Sequence, residues 1–264
     1  MREEERKARG MTLQAAVHGE RSDKPPAYPQ AGVANTCRSF DEYVRMFDLK
    51  METAASGPVL DVAGGASSFT AQLQERGIAA TAADPFYAGE PERVLAEARK
   101  EIGVSSAKLA AAIASYDWSY YGSPERHREL REASYVRFAA DFTRSDAASR
   151  YVAASLPRLP FADESFSLTV CSHFLFLYGE QFDENFHRAA LSEMLRVTRK
   201  GGEVCVYPLV TLAWQTPLYL PDLLKDLSGL AIVRTVPTAL PFTPVRSPVL
   251  KLVKTGSISS GTRE

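Results

Sequence analysis

Apolar positions along the chain fall into short continuous runs and longer patterns with the 3.6-residue helical period. Residues 59–63, Val-Leu-Asp-Val-Ala, are a short run that predicts a strand. Gly64-Gly65-Ala66-Ser67-Ser68 follows as a turn, and residues 69–76 predict a helix with Gly77 as its C-terminal stop. A second strand is predicted over 78–83, ended by Asp84-Pro85. Strand, glycine turn, helix and strand form a βαβ unit, which implies a parallel sheet with right-handed crossovers. Upstream, SFDEYVRMFDLKM sets Phe40, Tyr43, Phe47 and Leu49 at helix-compatible spacing, with Ser39 as N-cap. Such a helix packs on a neighbouring core and does not form one.

Between 86 and 150 the pattern changes. Helices are predicted over 91–102, 105–116 and 124–146, with Tyr116-Asp117-Trp118-Ser119-Tyr120-Tyr121-Gly122 between the last two. Strands return over 151–156 and 166–172. A helix over 182–199 carries Phe186, Ala190, Met194 and Val197 on one face; Lys200-Gly201-Gly202 ends it, and 203–207 makes another strand. Seven of the 16 prolines lie from Pro208 to Pro248, around a helix near 217–228, with final strands near 230–236 and 247–254. The expected organisation is a flexible tail over 1–30, one domain over 31–254 with a helical insertion at 86–150, and a second flexible tail over 255–264.

A chain of 264 residues buries most of its apolar surface without help from disulfides or metal. Its 31 Lys+Arg against 32 Asp+Glu give a formal net charge of −1, which removes the simplest case for nucleic acid or an anionic membrane as partner. The 86–150 insertion, with its flanking Pro85, carries ten basic and ten acidic residues, so it is not a basic arm. No apolar stretch approaches the ~20 residues of a membrane helix, and MREEERKARG lacks the apolar core of a secretory signal. Cys37, Cys171 and Cys205 show no CxxC spacing, and the last two sit in strand-like runs as small hydrophobes. A reduced, cytoplasmic protein is expected. The four histidines lack metal-ligand spacing, so no metal is expected, and His187 beside its helix's core stripe reads as structural.

The glycine turn is the first candidate for chemistry. A turn leaving the carboxyl end of a parallel strand brings backbone close to a ligand at a sheet's switch point, although a tight turn binding nothing satisfies the same pattern. Asp84, 23 positions beyond Asp61, ends the second strand, where an acid accepts hydrogen bonds from two ribose hydroxyls or merely caps the strand. Together, Asp61, Gly64-Gly65 and Asp84 favour a nucleoside cofactor. GxGxxG is absent: counted from Gly65, the third and sixth positions are Ser67 and Thr70. An acid before the turn suits a cationic ligand better than a diphosphate, and S-adenosylmethionine carries a sulfonium and an ammonium.

VLDVAGGASSFTAQL is similar to the first motif of the class I S-adenosylmethionine-dependent methyltransferases. LPFADESFSLTVCSHFLFLY resembles their fourth-strand region, and EMLRVTRKGGEVCVYP resembles their helix, Gly-Gly turn and fifth strand. The resemblance spans 39–85 and 151–254 and is nearest to the small-molecule branch. It implies an α/β fold: a doubly wound, mostly parallel seven-stranded sheet with helices on both faces, its last strand antiparallel and a helical insertion after the second. It further implies S-adenosyl-L-methionine as cofactor, with Asp61, Ala63, Gly64 and Gly65 at its amino-acid part and Asp84-Pro85 at the ribose. Ser155-Leu156 would meet the adenine edge, and Ser172 lies at the end of the fourth strand. Two of the motif's glycine positions hold Ala63 and Ser67, and Ser155 stands where the family often has an acid.

In that architecture the fourth strand's end faces the transferable methyl, which makes His173 and Tyr178 the catalytic candidates. His173 serves as a general base or orients a loop; Tyr178 donates to the acceptor or caps the pocket. The 116–121 aromatics hold an aromatic or cationic acceptor, or glue the insertion to the sheet. The expected activity is methyl transfer to a small-molecule acceptor. A non-catalytic module of the same fold, and a different reaction of the same cofactor, remain as alternatives.

Overall fold

The computed structural model of the protein describes residues 25, 27–30 and 32–256. The tails expected over 1–30 and 255–264 therefore fall largely outside the described residues. Within them a seven-stranded sheet runs in the order β3-β2-β1-β4-β5-β7-β6. Its strands are β1 (Val59–Val62), β2 (Ala80–Ala83), β3 (Tyr151–Val152), β4 (Phe166–Ser172), β5 (Thr198–Tyr207), β6 (Ala231–Pro237) and β7 (Pro248–Lys254). β1 pairs in parallel with β2 and β4, as do β2 with β3 and β4 with β5. Only β7 runs against its neighbours, between β5 and β6. The strand order reverses between β1 and β4, and there the register sets Val62 beside both Ala83 and Cys171. Ala63, Asp84 and Ser172 consequently emerge together at one carboxyl edge.

Helices cover both faces, which is why β1 and β4 are buried at every position. On one face Leu60 and Val62 pack with Leu191, Met194 and Leu195 of α6 (Glu184–Val197). On the other, α1 (Phe40–Phe47) and α3 (Phe69–Glu75) cover Val59, Leu168 and Val170. Tyr43 stacks on Phe69 with ring centroids 4.3 Å apart. The sequence explains how α1 starts: Ser39 Oγ accepts from Glu42 N–H at 3.3 Å while Glu42 Oε2 accepts from Ser39 N–H at 2.7 Å, a closed capping box. A single turn, α2 (Met51–Ala54), leads into β1.

The insertion between β2 and β3 differs in detail from the sequence expectation. One continuous helix, α4 (Pro91–Ala111), replaces the two expected ones. It runs through Gly103 because Val94, Ala98, Ile102 and Leu109 keep one buried face. α5 (Pro124–Phe142) follows, capped by Ser123. β3 is only two residues long, because the chain turns away at Ser155, which bridges to Arg158. The last helix, α7 (Leu220–Leu227), buries Leu220, Leu223 and Leu227. No helix of the described residues is long and apolar enough to cross a membrane.

Candidate active site

The turn after β1 is held from several sides. Ala63 and Gly65 both adopt left-handed backbone, with φ of 54° and 52°. Glycine enters that region freely, whereas alanine pays roughly 1–2 kcal/mol for it. Gly65 donates its N–H to Asp84 Oδ2 at 2.9 Å and accepts from the Tyr87 hydroxyl at 2.8 Å. Asp84 Oδ1 takes the Phe86 N–H at 2.8 Å, so one carboxylate joins the β1 turn to the β2 turn. Burial raises the Asp84 carboxyl above its ordinary range, against the two backbone N–H groups that favour its charged form. A side chain on Gly64 would meet Asp61 Oδ2 at 2.9 Å, so this glycine is bare because the aspartate lies against it.

Asp61 sits beneath the turn. Its Oδ1 accepts from the Tyr43 hydroxyl at 3.2 Å, and its Oδ2 is buried with no partner among the described residues. Burial pushes its carboxyl well above the ordinary range. Ser67 Oγ accepts from Phe69 N–H at 3.0 Å at the start of α3, and it lines neither the crevice nor the adjoining cavity. The serine at this glycine position therefore does not obstruct the crevice.

Two hollows meet along the sheet edge and form a single crevice. One is narrow, lined by Ala63, Gly64, Gly65, Asp84, Ser172 and His173. The other, about 360 Å³, shares Ala63 and Asp84 and continues past Pro85, Ser155 and Leu156. It is walled by Phe86, Phe174, Phe182 and Phe186. All nine residues expected at the cofactor lie on this crevice except Asp61, which lies under its floor. The residues fit an adenosyl group: a flat aromatic-walled slot, an aspartate with spare lone pairs for hydroxyls, and an orphaned carboxylate oxygen beneath the turn.

A further cavity of about 90 Å³ adjoins the crevice, sharing Ala34, Thr36 and His173 with it. Its other walls come from the insertion (Leu109, Tyr116, His127, Arg131), from Arg38 ahead of α1, and from Trp214 and Phe242. Residues 32–37 lie across both spaces as a strap, with Val33 and Asn35 on the crevice and Ala34 and Thr36 on the cavity. Tyr28 extends it, donating its N–H to Leu212 O at 2.9 Å, although it falls in the stretch expected as a tail.

The two catalytic candidates have different places. His173 stands on the wall common to crevice and cavity, in left-handed backbone with φ of 52°. Its Nδ1 is 3.0 Å from Ser172 Oγ, whose own proton points to Met46 Sδ at 3.4 Å. Burial, aided by Arg38 and Arg131, pushes His173 well below its usual range and keeps it neutral. Tyr178 instead anchors the strap: its hydroxyl accepts from Ala34 N–H at 2.9 Å.

Of the 116–121 aromatics only Tyr116 lines the cavity. Trp118 and Tyr121 pack against His127 and Phe242 and hold the insertion down. Asp117 turns away, bonding Ser119 N–H and lying 3.9 Å from Arg246, so it offers nothing to a cationic acceptor. His187 is structural, bridging Leu175 O and the Tyr219 hydroxyl at 2.7 Å each. All three cysteines are buried and unpaired.

Sequence reasoning missed a buried charged cluster. Glu42 accepts from Arg131, from Ser39 N–H at 2.7 Å and from the Tyr121 hydroxyl at 2.5 Å. Arg38 lies 3.8 Å from it. Burial alone would raise Glu42, but the two guanidiniums outweigh it and hold the carboxyl down at about 2. A signal existed: His127 and Arg131 are four apart on α5 and so share one face.

Parallel order 3-2-1-4-5 closed by an antiparallel seventh strand is the Rossmann-like methyltransferase fold, and here a glycine turn and an acid stand at its adjacent strand ends. The "Methyltransferase domain" family matches residues 100–206, which run from α4 through β5 and leave the glycine turn outside. The uncharacterized protein MJ0045 of Methanocaldococcus jannaschii is 30% identical over 190 residues, covering 72% of this chain and 83% of that protein. Among solved structures, the N-methyltransferase NodS of Bradyrhizobium japonicum WM9, in complex with S-adenosyl-L-homocysteine, is 12% identical. That alignment covers 78% of this chain and 84% of NodS, with a TM-score of 0.41. The 1,6-didemethyltoxoflavin-N1-methyltransferase of Burkholderia thailandensis is 15% identical, covering 75% and 71%, also with a TM-score of 0.41. The chain belongs to the same family as the Methanocaldococcus protein, and its residues 100–206 match the methyltransferase-domain model.

Proposed function

We propose that the protein is an S-adenosylmethionine-dependent methyltransferase whose acceptor is a small molecule held in the cavity beside the crevice. The observation that carries this reading is the shared wall: the adenosyl-type crevice and the cavity meet at Ala34, Thr36 and His173. When bound, the cofactor supplies a methyl group made electrophilic by its sulfonium.

Asp84 would hold the ribose hydroxyls, Pro85, Ser155 and Leu156 the base, and the 63–65 backbone, with Asp61 beneath it, the amino-acid part. Ser172 would hold the imidazole of His173 at Nδ1, so that the neutral ring orients the acceptor at the wall shared by crevice and cavity. A neutral histidine suffices, because an oriented nucleophile needs little activation. Positioning alone is worth roughly 7–11 kcal/mol of a barrier. Tyr178 would act on the strap, excluding water by holding Ala34 across the junction.

Calorimetry of the protein with S-adenosylmethionine tests the first half, and product masses after incubation with the cofactor and a cell extract test the second. The expected results are binding and a product heavier than its precursor by one methyl group. Absence of binding removes the proposal, and a different mass increment replaces it with another reaction of the same cofactor.

A further inference from the structure

We propose that the cavity is an anion site, built for a planar organic acid whose carboxylate or phenolate oxygen is met by Arg38. That this anion is the methyl acceptor rests on the reading above; the site itself does not.

The argument begins with which charges are already satisfied. Glu42 Oε2 takes Ser39 N–H at 2.7 Å, the Ser39 hydroxyl at 3.0 Å and Arg131; Oε1 takes the Tyr121 hydroxyl at 2.5 Å. Arg131 also donates to Tyr121 Oη at 3.2 Å and to Cys37 O at 3.4 Å. Those two side chains complete each other. Arg38 is left with a 3.8 Å approach to Glu42 and donates no side-chain hydrogen bond among the described residues. It is only 8% exposed, it lines the cavity, and its Nε is enclosed without a partner. The 2% exposed His127, on the same cavity, has an equally unpartnered Nδ1.

Neighbouring acids do not cancel this charge. Glu101 of α4 does not line the cavity; its Oε1 is buried without a partner among the described residues, and Lys108, which donates to Gln30 Oε1 at 2.7 Å, is the cation whose charge acts on it, while Asp117 lies 3.9 Å from Arg246. Arg38, Arg131 and Lys108 against Glu42 and Glu101 leave one positive charge in excess. A charge withdrawn from water and left unpaired is costly, and the planar guanidinium fork matches an oxyanion in two places. The histidines report the same positive field: burial first, and then the guanidiniums, hold His127 at about 2 and His173 well below its usual range.

The walls select shape. Tyr116 stacks on Phe242 with centroids 5.0 Å apart and planes 26° apart, and Phe242 on His127 at 5.4 Å and 15°. Stacked on one another, these rings form an aromatic wall that suits a ligand with an apolar, aromatic body.

The test uses benzoate, benzamide and benzylamine as probes of one shape and three charges, with calorimetry on the full chain and no cofactor added. Benzoate is expected to bind more tightly than benzamide by roughly tenfold or more, the scale of one charge-assisted hydrogen bond, and benzylamine weakest. Arg38→Met is expected to erase the preference, with benzoate losing far more affinity than benzamide. Arg38→Lys, which keeps the charge and loses the fork, is expected to retain part of it. S-adenosylmethionine is titrated separately into the same proteins. Benzamide or benzylamine matching benzoate, no binding of any probe, or a preference surviving in a folded Arg38→Met protein overturns the anion site. If the benzoate preference holds but the cofactor does not bind, the anion site stands and the methyltransferase reading falls; the converse separates them the other way.

Discussion

Replacing Asp84 by Asn separates the ligand role of this side chain from its structural one. The carboxylate accepts two backbone N–H groups, from Gly65 at 2.9 Å and Phe86 at 2.8 Å, and is 8% exposed. An amide has one acceptor oxygen, so one of those N–H groups would face an NH2 donor. That loss is offset by relief of desolvation, which already raises the carboxyl's pKa. The two effects oppose, and the unfolding midpoint is expected to move by no more than about 4 °C, the equivalent of roughly 1 kcal/mol in a chain of this size. Binding has no such offset. Two ribose hydroxyls donating to a charged acceptor gain about 1 kcal/mol each over a neutral one. Asp84→Asn is therefore expected to weaken S-adenosylmethionine by about 2 kcal/mol, roughly thirtyfold. Calorimetry reads the affinity and a thermal melt checks the fold. Because binding needs the ionised form, wild-type affinity should also fall as pH drops through the raised pKa, and the variant's should not. An affinity within about threefold of wild type in a folded Asp84→Asn protein, on the scale of those bonds, would refute the ribose assignment.

Asp61→Asn should raise the melting temperature at neutral pH while weakening the cofactor. A raised folded-state pKa stabilises below the unfolded value and loses that contribution as pH rises through the folded one, so the variant's advantage must grow with pH. Glu42 has the opposite sign: its stabilisation is complete above the ordinary carboxylate range and disappears as pH falls toward about 2. Glu42→Gln should cost roughly 3 kcal/mol at neutral pH and flatten the acid limb of a melting-temperature profile. Ser67→Gly should lower stability by about 1 kcal/mol through loss of the bond to Phe69 N–H, without strengthening cofactor binding in calorimetry, because Ser67 lines neither the crevice nor the cavity.

The sheet was legible because its signals are local. A short strand-forming run at 59–63, a glycine turn and an acid at a strand end belong to continuous stretches, and their order determines which edge they share. Strand β3 was overextended, since nothing in Ala153-Ala154-Ser155 announces the turn to Arg158. The crevice was readable for the same reason as the sheet: Ala63, Gly64, Gly65, Asp84 and Ser172 lie at strand ends in one register. The cavity was not readable, because Arg38, Arg131 and Phe242 are brought together only by packing across long separations. Tyr178 shows the limit most clearly: its proximity to the fourth strand suggested chemistry, and its hydroxyl is bonded to Ala34, 144 residues away in the chain.

Glu42 belongs to two structures at once, the capping box that begins α1 and the ion pair that docks α5, 89 residues further on. The insertion therefore cannot be exchanged as an independent cassette. A graft lacking Arg131 would leave Glu42 with Arg38 as its remaining counter-ion and draw that guanidinium inward, turning the recipient's cavity from basic to neutral. A swap that respects only the loop ends at β2 and β3 would change ligand preference without altering any residue on the sheet.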